Sequence, residues 1–428
     1  MKHYALILTC FAVLLGSLCA CNKWPYEGDD FDNVMIFYGG GYNNLAAPIK
    51  TNIDELCQGA IPEFKSHNAI LVFSHTTKTY SDYTTPNSPV LIRIYRDKKG
   101  IPVRDTVMVY SSETYSIDEQ TVSSVLNKVR TDYPAKHYGL VFSSHSTGWI
   151  PPGYTSSANE RTLAGRANAE PGSPERKLPA GVYPNLPHDS NFPETKSIGA
   201  QYYGDGNSSY QMELNAFAKA IPMKLDYIVF DSCLMGGIEV AHALKDVCSR
   251  IVFSPTEILK QGLIYKTMAG HLMKYPADLE SICKEYFNYY NTVALTRAAT
   301  ISLIDCSKVD AVASDMASLI GKYQEEIAAL NPSTVQPYFY KENNPKHWFY
   351  DMRDILVQAG AEGTDLARLD SDLASMVLYK AATPDFFGTV ISPSKFSGLS
   401  MYLPNHYWGT LNEYYRTLSW NKSVNLVK

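Results

Sequence analysis

Residues 138–149 read YGLVFSSHSTGW and residues 225–237 read LDYIVFDSCLMGG. In each, a short apolar run rich in β-branched and aromatic residues gives way to a small polar turn. The first turn carries His145 and the second Cys233. Nearly continuous apolar runs of this length mark strands buried on both faces of a sheet. The pattern predicts strands over Tyr138–Ser143 and Leu225–Phe230, and again over Asn33–Tyr38, Ala69–Ser74, Arg250–Ser254, Thr300–Ile304 and Leu399–Leu403. Helical spacing falls between them, at Asn52–Ile61, Ser116–Thr131, Gln211–Ala220, Gly236–Val247, Asp278–Val293, Val309–Leu330 and Asp365–Val377. Asn52 or Asp54 would start the first of these helices, and Ser116 with Glu119 has the spacing of a capping box. Val90–Arg96 and Asp105–Tyr110 flank Asp97-Lys98-Lys99-Gly100, a hairpin turn. Strands alternating with helices give an α/β class with a mostly parallel sheet covered on both faces.

Open α/β sheets bind ligands beyond the carboxyl ends of their strands. His145 and Cys233 both stand at such ends. A Cys at a strand-to-helix junction lies near free helix N–H groups, which favour thiolate. A nearby His can act as base, or as the acid that protonates a leaving amine. The backbone N–H groups of Cys233 and of Ser146 are candidates to bind an oxyanion. A lone Cys at a helix start is also commonly a small buried residue, and a lone His a structural one. The residues alone leave both readings open.

The whole chain narrows the field. It has 428 residues, of which 45 % are apolar and 19 % charged, ordinary values for a folded protein. Its net charge of −5 gives no drive toward nucleic acid. Met1 to Ala20 has a positive start at Lys2 and an apolar run from Tyr4 to Leu15, too short to span a bilayer. It reads as a signal peptide. Leu18-Cys19-Ala20-Cys21 resembles a bacterial lipobox, with Cys21 the residue to be acylated; an ordinary secretory signal is the other reading. Residues 21–32, with Glu27, Asp29, Asp30 and Asp32, read as a solvated tether. The expected organisation is a leader at 1–20, a tether at 21–32, a core at 33–330 and a C-terminal subdomain at 331–428. The expected location is the cell envelope, through a lipid anchor in the membrane.

Eight cysteines become five once the leader and Cys21 are set aside: Cys57, Cys233, Cys248, Cys283 and Cys306. An odd number in an exported chain leaves at least one thiol unpaired. None has zinc-site spacing. Residues 151–198 are rich in Pro, Gly, Ser and Asn, as in a long loop that forms a functional lid or a disordered segment. That loop holds Arg161, Arg166, Arg176 and Lys177.

The His and Cys segments resemble the motifs of the clostripain family of cysteine peptidases, which run roughly L-V-x-x-x-H-G-x-G-W and F-D-A-C-L-M-x-x-x-E-V. IFYGGGYNNL at 36–45, RIVFSPTEILKQGLIY at 250–265 and SGLSMYLP at 397–404 resemble further family segments. The resemblance implies a caspase-like α/β/α sandwich with a smaller C-terminal α/β extension. It implies peptide-bond cleavage, with Cys233 as nucleophile and His145 as its partner. Asp231 would lie in the S1 pocket and select Arg or Lys at P1, although it could also cap the following helix. Ser146 replaces the family's first glycine, while Gly148 and Trp149 match. Relatives are often zymogens that cut themselves in the loop after the His motif, which makes its four basic residues candidate autocleavage sites. Some relatives need calcium. Asp205 in YYGDGNSS could contribute an oxygen ligand, but its spacing is not that of an EF-hand, and no cofactor follows from any motif. The altered glycine keeps a second function open, a non-catalytic binding lipoprotein on the same fold.

Overall fold

A computed structural model describes residues 30–79, 85–154, 179–184, 197–204, 206–338, 348–405 and 408–428. The sequence runs that are apolar without interruption become the middle of one nine-stranded sheet. Its strands are β1 (Phe31–Gly41), β2 (Asn68–Thr76), β3 (Val90–Arg96), β4 (Pro102–Val109) and β5 (Ala135–Ser143). Three short strands follow: β6 (Val182–Pro184), β7 (Ile198–Tyr203) and β8 (Ser208–Met212). Then come β9 (Leu225–Asp231), β10 (Cys248–Phe253), β11 (Thr300–Asp305), β12 (Tyr350–Asp351), β13 (Val377–Ala382), β14 (Asp385–Phe386), β15 (Thr389–Val390) and β16 (Ser400–Met401). The large sheet has the order β13-β11-β10-β9-β5-β1-β2-β3-β4.

Its five central strands, β2, β1, β5, β9 and β10, are parallel neighbours. The outer pairs β2–β3, β3–β4, β10–β11 and β11–β13 are antiparallel. The burial follows this layout. The stretches Met35–Tyr38, Ala69–Phe73, Leu140–Phe142 and Ile228–Phe230 are essentially inaccessible. The edge strand β4 instead alternates between exposed and half-buried residues. Successive connections leave β1 on opposite sides, toward β2 and then toward β5. This switch point opens a crevice at the strands' carboxyl ends.

Several sequence expectations shift. The helix placed at Asn52–Ile61 begins earlier, at Ala46, and ends at Gln58. Ser116 does not cap the next helix. Asp118 does, accepting from the N–H groups of Gln120 and Thr121, while Ser116 is buried and bonded to Gln201. Gln211 belongs to β8, and the helix expected from it starts at Leu214. Part of the 151–198 stretch is regular: β6 and β7 flank β8 in a three-stranded sheet. Before it, Tyr154 is buried edge-on against Trp348. The late strand shrinks to Ser400–Met401, paired with β12. The segment from 331 onward also supplies β13, an edge of the main sheet, a strand the periodicity did not show.

Trp149, directly after the His turn, is fully buried among Phe349, Tyr402 and Tyr415. Beside it Glu239, in the helix Ile238–Leu244, accepts from the Tyr402 N–H at 2.9 Å and the Tyr415 hydroxyl at 2.7 Å. Burial pushes its carboxyl up to about 7, against the pull of those donors. The folded protein holds this proton where the unfolded chain releases it, so the stabilisation is complete below about 4.5 and lost as pH rises through about 7. Over that window the cost reaches about 3 kcal/mol. Urea unfolding of Glu239→Gln should therefore show a flatter stability profile between pH 4.5 and 7.5 than wild type. Parallel profiles would mean that Glu239 does not titrate there.

Candidate active site

Strands β5 and β9 are parallel neighbours with Ser143 opposite Asp231. His145 and Cys233 each stand two residues further on, so the register brings them level at one end of the sheet. Both line a single cleft of about 140 Å³, together with Leu45, Pro48, Asn52, Asp231, Ile258 and Lys260. The two strand ends are stapled by Ser232, whose hydroxyl donates to the Ser144 carbonyl at 2.9 Å and lies 3.4 Å from the Ser144 N–H. Ser232 is thus a structural link between the His and Cys turns.

Cys233 is half-buried, with its Sγ 3.6 Å from the Ile258 carbonyl. The turn after it is tight. Leu234 takes a left-handed conformation at φ 58°, and its N–H bonds to the Thr256 carbonyl at 2.9 Å. Gly148, itself at φ 59°, backs onto this turn, and a Cβ there would stand 2.5 Å from the Leu234 carbonyl oxygen. The His and Cys turns thus touch through a glycine. The following helix starts only at Ile238. Cys233 is not in its first turn, and the helix N–H groups expected to favour thiolate are five residues away.

Gly199 N–H bonds to the His145 carbonyl at 2.7 Å and Thr147 N–H to the Ser197 carbonyl at 2.8 Å. Ser146 sits between them opposite Ile198. In an antiparallel bridge this placement turns its own N–H away from β7. The Ser146 side chain is buried, and its hydroxyl folds back 2.8 Å onto the His145 carbonyl. On the other side of the imidazole, Nε2 lies 2.5 Å from Asn44 Oδ1.

Asp231 closes the bottom of the cleft. Its Oδ2 accepts from the Tyr265 hydroxyl at 2.6 Å, the Ser143 hydroxyl at 3.2 Å and the Asn52 amide at 3.3 Å. Gly262, at φ 68°, approaches so closely that a Cβ would lie 2.6 Å from the same oxygen. Burial pushes the Asp231 carboxyl up to about 6, while the Tyr265 and Ser143 bonds pull it down. Asn52, expected to begin a helix, is instead inside one and faces Asp231. Asn44 and Tyr265 lie in the segments 36–45 and 250–265 that resemble the family, but nothing in the sequence assigns either a role; a polar residue on the inward face of a strand-end helix was the available signal for Asn52.

His75, which could be mistaken for a catalytic group, is inaccessible beside the Tyr42 ring, and burial pushes its imidazole down to about 4. Among the described residues no group of three His, Cys, Asp or Glu side chains is placed to hold a metal ion. No described helix is long and apolar enough to cross a membrane. Cys21, Arg161, Arg166, Arg176, Lys177 and Asp205 lie outside the described residues.

A parallel α/β sheet with a thiol and an imidazole on adjoining strand ends is the framework of caspase-like peptidases, and three comparisons bear on it. The sequence model of the clostripain family matches residues 186–426, more than half of the chain, including Cys233. The chain therefore belongs to the clostripain family of cysteine peptidases. It is similar to an inactive zymogen C11 protease from Parabacteroides distasonis at 25 % identity, covering 92 % of this chain and 98 % of that one with a TM-score of 0.70. A secreted C11 cysteine protease from Bacteroides thetaiotaomicron shares the fold at 23 % identity, with 92 % and 100 % covered and a TM-score of 0.69. No curated protein matches.

The contact between the two turns makes Gly148→Ala a sharp probe. Both the left-handed backbone and the carbonyl contact oppose it, so about 2 kcal/mol or more of stability should be lost. Thermal melting compared with wild type reads the loss; an unchanged midpoint would mean that the turns do not pack as described.

Proposed function

We propose that this chain is an endopeptidase that cuts after Arg or Lys, with Cys233 as nucleophile and His145 as its acid–base partner. The observation that carries this reading is the single cleft in which both side chains stand above a buried carboxylate. The Cys233 thiolate attacks the scissile carbonyl, and the N–H groups of Cys233 and Ser146 bind the developing oxyanion. The C–N bond breaks as His145 gives its proton to the leaving amine. Water then hydrolyses the thioester and restores the thiol.

Asp231 sets P1. Its hydrogen-bond donors, Tyr265, Ser143 and Asn52, are all neutral. A buried carboxylate so placed gains most from an arriving cation. Because its carboxyl sits near 6, it must lose a proton before pairing with Arg or Lys. Cleavage of Arg-P1 reporter peptides should rise with pH through about 6 in wild type. Asp231→Asn should lose both that rise and the preference over Leu at P1. A retained Arg/Lys preference in this variant would remove Asp231 from S1.

Thiol chemistry supplies the test of the nucleophile. Cys57, Cys248, Cys283 and Cys306 are buried, and burial raises the Cys283 thiol pKa. Iodoacetamide at neutral pH should therefore label Cys233 far faster than the other four, as peptide mapping would show. Equal labelling would favour a binding module.

The four basic residues at 161–177 are the proposed self-cleavage positions, a reading supported by the likeness to an inactive zymogen. Intact-mass comparison with Cys233→Ala should show a cut wild type and an uncut variant; identical uncut masses oppose it. Cys21 is the proposed lipid attachment, holding the enzyme at the cell envelope, and Cys21→Ala should move it from the membrane to the soluble fraction.

A further inference from the structure

The turn that follows β1 carries two asparagines with different duties. Asn43 is fully buried and fixes the turn itself. Its amide donates to the Gly40 carbonyl at 3.0 Å and the Ala200 carbonyl at 2.6 Å, and its Oδ1 accepts from the Leu45 N–H at 2.7 Å. Asn44, the next residue, is exposed, and its Oδ1 reaches Nε2 of His145 at 2.5 Å. An amide oxygen only accepts, so this contact requires the proton to be on Nε2. In the neutral ring the other nitrogen, Nδ1, is then left without a proton.

We propose that Asn44 is a positioning residue for His145, holding the imidazole as its Nε2–H form so that Nδ1 is the atom that takes and returns the proton at Cys233 and at the leaving amine. This inference rests on the dyad reading above and deepens it. The turn suits the task because it is rigid on both sides. Asn43 ties it to β7 through Ala200, and β7 also holds the His145 backbone through Gly199. Asn44 and His145 are therefore anchored to the same strand, one through the Asn43 side chain and the other through a main-chain bond to Gly199. Loss of Asn44 leaves that scaffold in place and removes the acceptor from Nε2.

The bond also acts on charge. An acceptor on Nε2–H favours the imidazolium, which has two N–H donors and must protonate the leaving amine. The other ionisable groups lining the cleft are Cys233 and Asp231 at the end of β9 and Lys260 in the loop after β10. None of them changes in an Asn44 variant, so a movement of the alkaline limb of the pH profile reports His145.

The test uses the full chain and an Arg-P1 reporter peptide, with kcat, KM and pH profiles for Asn44→Ala and Asn44→Asp beside His145→Ala and Cys233→Ala. Asn44→Ala should lose about tenfold or more in kcat with KM within about twofold, and its alkaline limb should move to lower pH. Asn44→Asp, which offers a charged acceptor, should recover part of kcat and move that limb to higher pH. Thermal midpoints of both variants should stay near wild type, whereas Asn43→Ala should melt earlier. Inactive His145→Ala and Cys233→Ala together with an Asn44→Ala enzyme of unchanged kcat and profile would overturn the positioning role and leave the dyad standing. Full activity in His145→Ala or Cys233→Ala would instead overturn the dyad beneath it.

Discussion

The site depends on the pairing of two parallel strands. Ser143 opposite Asp231 is a matter of main-chain register, and everything reactive is counted forward from it. A slip of one residue would turn His145 or Cys233 to the opposite face, because strand side chains alternate. The register is fixed by what surrounds it: Phe142 packs edge-on against both Phe217 and Phe230, and the Ser232 hydroxyl bridges to the Ser144 backbone just past the last pair. Packing on the buried faces and one small hydroxyl at the strand ends thus decide where the chemistry stands.

Most of the central sheet was legible in the chain because burial on both faces leaves an unbroken apolar run, as at YGLVFS and LDYIVF. The parts that were hard to read are those whose structure is imposed from elsewhere. The strand Val377–Ala382 alternates between exposed and half-buried residues at the sheet edge, and pairing with β11 rather than composition makes it a strand. Asn52 looked like a helix start because its side chain suits a cap, yet it lies within a longer helix and points at Asp231. Gln211 is drawn into a hairpin partner of β7. Cys233 and His145 stood out as residue types on strand-end turns. Asn44, Tyr265 and Gly262 fall in the segments 36–45 and 250–265 that resemble the family, but their roles could not be read there, because each role is a distance to another segment.

The cleft joins two opposed electrostatic demands. In the proposed mechanism Asp231, held by neutral donors, pairs with a cation, while Cys233, two residues on, reacts as an anion. A carboxylate this close disfavours thiolate. With the next helix beginning at Ile238, the helix terminus is not the offset the sequence suggested. The imidazole of His145, the Lys260 ammonium in the cleft lining and the substrate's own basic side chain are the positive groups that remain. On this reading an Arg or Lys at P1 neutralises Asp231 as it docks and so eases ionisation of the thiol beside it.

Tyr154 is pinned under Trp348 at the start of the chain between β5 and β7, and at its end Ser197 and Gly199 are bonded to the His145 turn. The imidazole lies on the N-terminal side of that stretch and the sulfur on the C-terminal side, yet their strands share a ladder. Scission anywhere between would therefore yield a heterodimer of fragments, interleaved through one sheet, in which the imidazole and the sulfur lie on different pieces and dissociation is resisted by the whole width of the β5–β9 seam.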